Sequence, residues 1–256
     1  MSRIRSFALA GVLLTLCSVF AAAQDPFEIQ VYEYELVPPG RWNLETHLNY
    51  VARGIRDFEG SVAPSEGQTH LTFELTRGLW TYFELAGYLV TARREGTAGE
   101  LAGWRLRPRF ALPPNLLPFK FSLSTEFGFP KKTFEENSIT FELRPILERS
   151  FRSIQIDVNP VVSKALRGPA AAEDWDFEPG ARIAYSASRE LELTLEYYGA
   201  TGAVTHPLPV REQVHQLFPG VDLRLSDDIV WNLGVGFGAT GAGNTRVYKT
   251  RLGLLF

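Results

Sequence analysis

The stretch Trp42-Asn43-Leu44-Glu45-Thr46-His47-Leu48-Asn49-Tyr50 decides the fold. Trp42, Leu44, Thr46, Leu48 and Tyr50 take alternate positions, with Asn43, Glu45, His47 and Asn49 between them. Period two places the two sets on opposite faces of a β-strand. The pattern recurs along the chain. Leu71, Phe73 and Leu75 stand against His70, Thr72 and Glu74, and Leu191, Leu193, Leu195 and Tyr197 against Glu192, Thr194 and Glu196. Phe119, Phe121, Leu123, Phe127 and Phe129 stand against Lys120, Ser122, Ser124 and Glu126. Read throughout, the alternation predicts strands at roughly 42–51, 68–76, 80–90, 101–112, 119–129, 138–148, 154–165, 174–186, 191–199, 211–225, 229–238 and 245–256. Most hold about ten residues. At ~3.3 Å per residue and a tilt near 45° that crosses an apolar layer of ~25 Å, whereas strands of soluble sandwiches are usually shorter.

The connections carry independent information. After the first strand they alternate long and short: long at 52–67, 91–100 and 200–210, short at 77–79, 149–153, 187–190 and 226–228. Arg77-Gly78, Pro113-Pro114-Asn115 and Ser226-Asp227-Asp228 are turn-forming sequences at the short ends. Short turns on one side, long loops on the other and an even strand count describe an all-β, transmembrane, antiparallel up-and-down β-barrel of about twelve strands. Aromatic residues fall where a membrane–water girdle needs them. Trp42, Phe110, Phe119, Tyr185, Trp231 and Phe256 lie at the short-turn ends, and Tyr50, Phe129, Trp175, Phe237 and Tyr248 at the long-loop ends.

The N-terminus supplies the compartment. Arg3 and Arg5 precede an apolar run from Phe7 to Phe20, followed by Ala21-Ala22-Ala23. This order predicts a secretory signal peptide over 1–23, cleaved after Ala23. The apolar run is shorter than the ~20 residues of a spanning helix. Cleavage removes Cys17, the only cysteine, so the mature chain has no disulfide and no thiolate ligand. The net charge of −3 gives no support to a nucleic-acid partner.

The chain closes Tyr248-Lys249-Thr250-Arg251-Leu252-Gly253-Leu254-Leu255-Phe256, with Tyr248, Thr250, Leu252, Leu254 and Phe256 on the outer face. In this ending the chain resembles bacterial outer-membrane β-barrels. The resemblance implies residence in the outer-membrane lipid and recognition of Phe256 by the barrel-assembly machinery. Phe27-Glu28-Ile29-Gln30-Val31-Tyr32 and Glu45-Thr46-His47-Leu48-Asn49-Tyr50-Val51 resemble the opening of uncharacterised transporters assigned to the phenol meta-degradation pathway. That likeness implies transport and brings no catalytic residues.

With apolar faces in lipid, polar faces line the lumen. Arg105, Arg107 and Arg109 form a row on the fourth strand. Glu84, Lys120, Glu126, Glu142, Arg144, Glu148, Asp157, Asp176, Glu178, Arg182, Glu192, Glu196, Asp222, Arg224, Lys249 and Arg251 continue the wall. The row is either a ladder of forked donors for carboxylate or phosphate solutes, or it is paired to Glu84, Glu126 and Glu142 across a partly desolvated interior. Gly234, Gly236 and Gly238 face inward and either widen the lumen or make room for large side chains such as Arg251 or Tyr198. No HExxH, phosphate-binding loop or Gly-x-Ser-x-Gly elbow occurs. His47 and His70 face inward on adjacent strands at different depths, and the residue types suggest neither a metal site nor a cofactor.

The organisation is therefore a signal peptide (1–23), a lead-in (24–41) and the barrel (42–256). The lead-in carries Phe27, Ile29, Val31, Tyr32 and Tyr34, too apolar for open water, before Val37-Pro38-Pro39-Gly40 breaks its β character. It covers the periplasmic mouth, plugs the lumen or lies loose; docking suits its apolar content. The leading functional reading is a porin-like channel for small polar or anionic solutes. The alternatives are a non-transporting barrel with a salt-bridged lumen and, third, a lipid-modifying enzyme.

Overall fold

The computed structural model describes residues 25–256, so the leader read over 1–23 lies outside the described residues. Twelve strands form: β1 (Trp42–Arg53), β2 (Thr69–Trp80), β3 (Phe83–Arg93), β4 (Glu100–Ala111), β5 (Lys120–Pro130), β6 (Ile139–Phe151), β7 (Ile154–Arg167), β8 (Asp176–Ser186), β9 (Leu191–Ala200), β10 (Val214–Ser226), β11 (Ile229–Gly238) and β12 (Arg246–Leu255). Each pairs antiparallel with its sequence neighbour, and β1 pairs with β12 to close the barrel. Closure leaves no strand with an unpaired edge, the condition for placing a sheet in lipid. At the seam the backbone N–H of Trp42 donates to the Phe256 carbonyl and that of Phe256 to the Trp42 carbonyl, both at 2.8 Å.

The barrel is apolar outside and polar inside. Leu48, Leu89, Trp104, Leu106, Leu193 and Leu252 are exposed on the outer surface, whereas His47, Thr72, Glu84 and Asp157 are at most 2% exposed. Such a distribution suits a hydrocarbon solvent and would aggregate in water. Outer aromatics interlock between strands: Trp104 stacks on Phe129 at 3.8 Å between centroids, and the Trp231 Nε1–H donates to Thr250 Oγ1 at 2.7 Å. Trp42, Tyr50, Tyr185, Phe237, Tyr248 and Phe256 are exposed near strand ends, and Phe119 and Trp175 lie one residue outside β5 and β8.

Two connections differ from the pattern-based reading. The expected turn at Arg77-Gly78 is strand. β2 continues to Trp80, the chain reverses at Thr81-Tyr82, and Trp80 stacks on Phe83 at 5.2 Å. Gly78 serves a close approach instead. Its N–H donates to the Arg41 carbonyl (3.1 Å), its carbonyl accepts from the Gly40 N–H (2.9 Å), and a Cβ there would overlap the Val37 and Pro38 carbonyls. The β3–β4 connection, read as long, is confined to 94–99 and is shorter than 112–119 at the opposite end, because pairing continues to Arg93 and resumes at Glu100.

Candidate functional site in the barrel lumen

Residues 25–37 run inside the barrel from the long-loop end towards the short-turn end. Phe27, Ile29, Val31, Tyr32 and Tyr34 are all buried. The segment forms no strand with the wall, so its backbone groups find side chains instead. At the short-turn end the Val37 N–H donates to Glu84 (2.7 Å) and the Tyr34 N–H to Glu148 (2.9 Å), while the Tyr34 hydroxyl donates to the Leu112 carbonyl (2.7 Å). At mid-depth one amide meets both backbone groups of Tyr32. Its N–H donates to Asn159 Oδ1 (2.7 Å) and its carbonyl accepts from Asn159 Nδ2 (3.0 Å). Nearer the long loops Asn49 donates to the Pro26 carbonyl (2.9 Å), and the Phe27 ring meets His70 edge-on at 4.5 Å and Phe134 at 5.7 Å. A buried polar backbone without partners would cost too much to remain there.

The arginine row is built around this segment. Arg105 pairs with Asp25 and, at 3.5 Å, Glu28 of the segment, and at 3.1 Å with Glu126 of β5. Arg107 pairs with Glu74 of β2 and, at 3.1 Å, with Glu84 of β3, and donates to the Tyr88 hydroxyl at 2.7 Å. Arg109 lies 3.5 Å from Glu84 and donates to the carbonyls of Glu33 and Glu35. Arg144 pairs with Glu142 at 2.7 Å and reaches the Gln30 carbonyl at 3.3 Å. Tyr32 sits at the centre, with the Arg144, Arg107 and Arg109 guanidiniums 4.6, 4.8 and 5.6 Å from its ring centroid. Its hydroxyl donates to Glu28 and lies 2.8 Å from that of Tyr88. An aromatic face attracts cations through its quadrupole, more strongly when desolvated.

The opposite wall is equally paired. Arg182 meets Asp222 (2.8 Å), Asp157 (3.0 Å), Glu192 (3.2 Å) and Glu33 of the segment (3.5 Å). Lys120 meets Glu148 at 2.7 Å and Arg251 meets Glu45 at 2.9 Å. Lys249 pairs with Glu196 and donates to the Ile29 carbonyl at 3.2 Å. The inward glycines of β11 make room, though not for Arg251 or Tyr198: a Cβ at Gly234 would press on Lys249, and one at Gly236 on the Phe218 ring. Phe218 belongs to an apolar cluster with Ile29, Val31, Val51, Tyr198 and Val247, which seats the segment against the β9–β12 side. Beside the segment a cavity of about 50 Å³, lined in part by Glu28, Arg144, Asn159 and Glu178, has room for one or two waters.

The long loops pack over the mouth. The Ala63 N–H donates to the Thr133 carbonyl (2.8 Å), and the Ser65 hydroxyl to Asn244 (2.6 Å). Here hydrogen bonds from Arg56 and from the Gly54 N–H hold the Glu66 carboxyl below the usual carboxylate range.

No protein-family model matches the sequence, and a search of curated proteins gives no match. Solved structures are similar to the barrel. An outer membrane channel from Pseudomonas putida F1 superposes with a TM-score of 0.60 at 9% identity, over 90% of this chain and 100% of that one. The NanC porin gives 0.56 at 8% identity, and the KdgM porin in complex with disordered oligogalacturonate 0.52 at 8%, each over 84% of this chain and 98% of the other. The chain has the closed antiparallel fold of these outer-membrane β-barrels. At such identities the likeness concerns the fold, and the lumen must be read from its own residues.

The sequence pattern pointed to the strands for the charged lumen residues and left out the partners that the lead-in supplies. Asp25, Glu28, Glu33 and Tyr32 contact wall arginines, yet no periodicity ties a residue of the lead-in to a strand. The available signal was the apolar content of 27–34.

Proposed function

We propose that this outer-membrane barrel is a porin-like channel for small anionic solutes, shut by residues 25–37 and opened when that segment moves aside. The observation that carries the reading is the source of the arginines' partners. Arg105, Arg109, Arg144 and Arg182 each give contacts to the segment as well as to the wall. Withdrawal of the segment would leave guanidinium groups short of partners in a narrow, low-dielectric passage, which suits carboxylate-bearing solutes. The likeness to a porin described with oligogalacturonate, a chain of acidic sugars, fits the same chemistry. We read the barrel as a channel rather than an enzyme, with Arg105, Arg107, Arg109 and Arg144 as selectivity residues and Phe256 as the assembly signal.

A second reading, a permanently closed structural barrel, draws on the density of lumen ion pairs. Planar-bilayer recordings separate the two. On the channel reading, deletion of residues 25–36 gives larger and more frequent openings than the intact chain. Arg105→Gln with Arg107→Gln in that background then shifts the reversal potential towards cations in a salt gradient. A correctly folded deletion protein that never conducts, beside a working porin control, would leave the structural reading in place.

A further inference from the structure

Glu28 of the lead-in, His47 of β1 and Glu74 of β2 meet in the buried lumen, where one ligating atom from each lies within 4.8 Å of the other two. All three are buried. Two of their atoms are orphans: His47 Nε2 and Glu74 Oε2 have no hydrogen-bond partner, although both are sealed from solvent. They lie 3.8 Å apart, and Glu45 Oε2 stands 3.5 Å from the same His47 Nε2 as a further carboxylate of the cluster. Tetrahedral zinc, with ligands at about 2.0–2.2 Å, sets neighbouring ligand atoms roughly 3.3 Å apart, so the His47–Glu74 pair stands close to chelating distance. Unpartnered buried polar atoms are rare and call for a specific cause, of which a bound ion is one.

The surroundings favour a cation. Five carboxylates, those of Asp25, Glu28, Glu74, Glu84 and Glu126, share the guanidiniums of Arg105, Arg107 and Arg109. Carboxyl groups thus outnumber guanidiniums around His47 by two, a setting that draws in either protons or a cation. Glu74 Oε1 is engaged by Arg107 and Glu28 Oε1 by the Tyr32 hydroxyl, while Glu28 Oε2 lies 3.5 Å from Arg105. Outer partners of this kind orient metal ligands and hold them in place. An imidazole with two carboxylates suits zinc or another borderline transition metal better than magnesium or calcium.

The geometry points to a binding site for a divalent transition-metal ion at Glu28, His47 and Glu74, which fastens the lumen segment to the β1–β2 wall. The site stands whether or not the lumen conducts. It was beyond reach of the sequence pattern because its third ligand comes from the lead-in, opposite a pair of strands that supplies the other two.

The test is titration of metal-stripped, refolded full-length mature protein with zinc, followed by cobalt for its visible spectrum. One equivalent should bind, and Glu28→Gln or His47→Gln should weaken binding by at least about 100-fold, more than loss of an outer partner costs. His70→Gln, which alters the other buried lumen histidine, should leave binding intact. Zinc should also slow cleavage by a Glu-specific protease within residues 28–35 by about 10-fold or more, and Glu28→Gln should remove that dependence while Glu33 and Glu35 stay cleavable. Glu28→Gln changes no barrel residue, so it keeps the test decisive if His47→Gln fails to fold. Absence of one-equivalent binding in the wild-type protein, or binding that survives both substitutions, overturns the site; protons or the arginines alone would then balance the cluster.

Discussion

Tyr32→Ala is the most informative single change in the lumen. Tyr32 is 3% exposed, faces three guanidiniums and gives its hydroxyl to Glu28. Truncating a buried aromatic residue to alanine costs about 3–5 kcal/mol, which already includes lost packing around the ring. Because Tyr32 belongs to no strand, the cost falls on docking of the segment rather than on the barrel. The ratio of docked to undocked segment should fall by roughly 10²–10⁴, at about 1.4 kcal/mol per factor of ten. Tyr32→Phe keeps the ring and removes only the hydroxyl, leaving a buried carboxylate short of a donor, a loss of about 1.5–3 kcal/mol. Cleavage within residues 28–35 by a Glu-specific protease reads the undocked population directly when redocking outpaces cleavage. The rates should therefore rank Tyr32→Ala above Tyr32→Phe above wild type, with the heat-modifiable mobility of the folded barrel unchanged. Equal rates, or loss of the folded barrel together with the segment, would refute the argument that docking and barrel stability are separable.

Two further outcomes test the frame around the site. An epitope inserted at Glu66 should label on intact cells and one at Asp227 should not, since the long loops face outward in this class of barrel; the reverse would invert the map. Leu123→Arg, on the lipid side of β5, should cost ~2–4 kcal/mol in vesicle refolding titrations. Ser122→Arg should cost at least as much, because Ser122 is fully buried and its hydroxyl lies 3.4 Å from Arg109 Nε; an inexpensive Ser122→Arg would mean that the lumen there is open.

That last expectation reverses what alternation alone suggests, and it shows where the sequence stops being readable. Period two reports which side of a strand a residue faces, and that held along most of each strand, with breaks at bulges such as the one where Ala102 and Gly103 are both buried. Turn residues were less reliable. Gly78 looks like a turn in Arg77-Gly78, yet its missing side chain is needed for the approach of Pro38, a contact between segments that local pattern does not encode. In the lumen, polar residues announced only that they face away from lipid. Whether Ser122 meets water or a packed interior depended on the lead-in, whose position is set by individual partners such as Asn159 and Glu148 rather than by a repeat.

The anchorage at Gly78 has a kinetic meaning. Gly40 and Arg41 are hydrogen-bonded to β2 immediately before the barrel begins, so an undocked segment stays tethered at the short-turn mouth. The stretch from Asp25 to Val37 reaches at most roughly 45 Å when fully extended. A short flexible tether holds its end at an effective concentration on the order of millimolar. On the proposed channel reading, a solute seeking the arginine wall meets an intramolecular competitor that dilution cannot remove, and dwell times in the open state would be set by recapture of the segment rather than by solute supply.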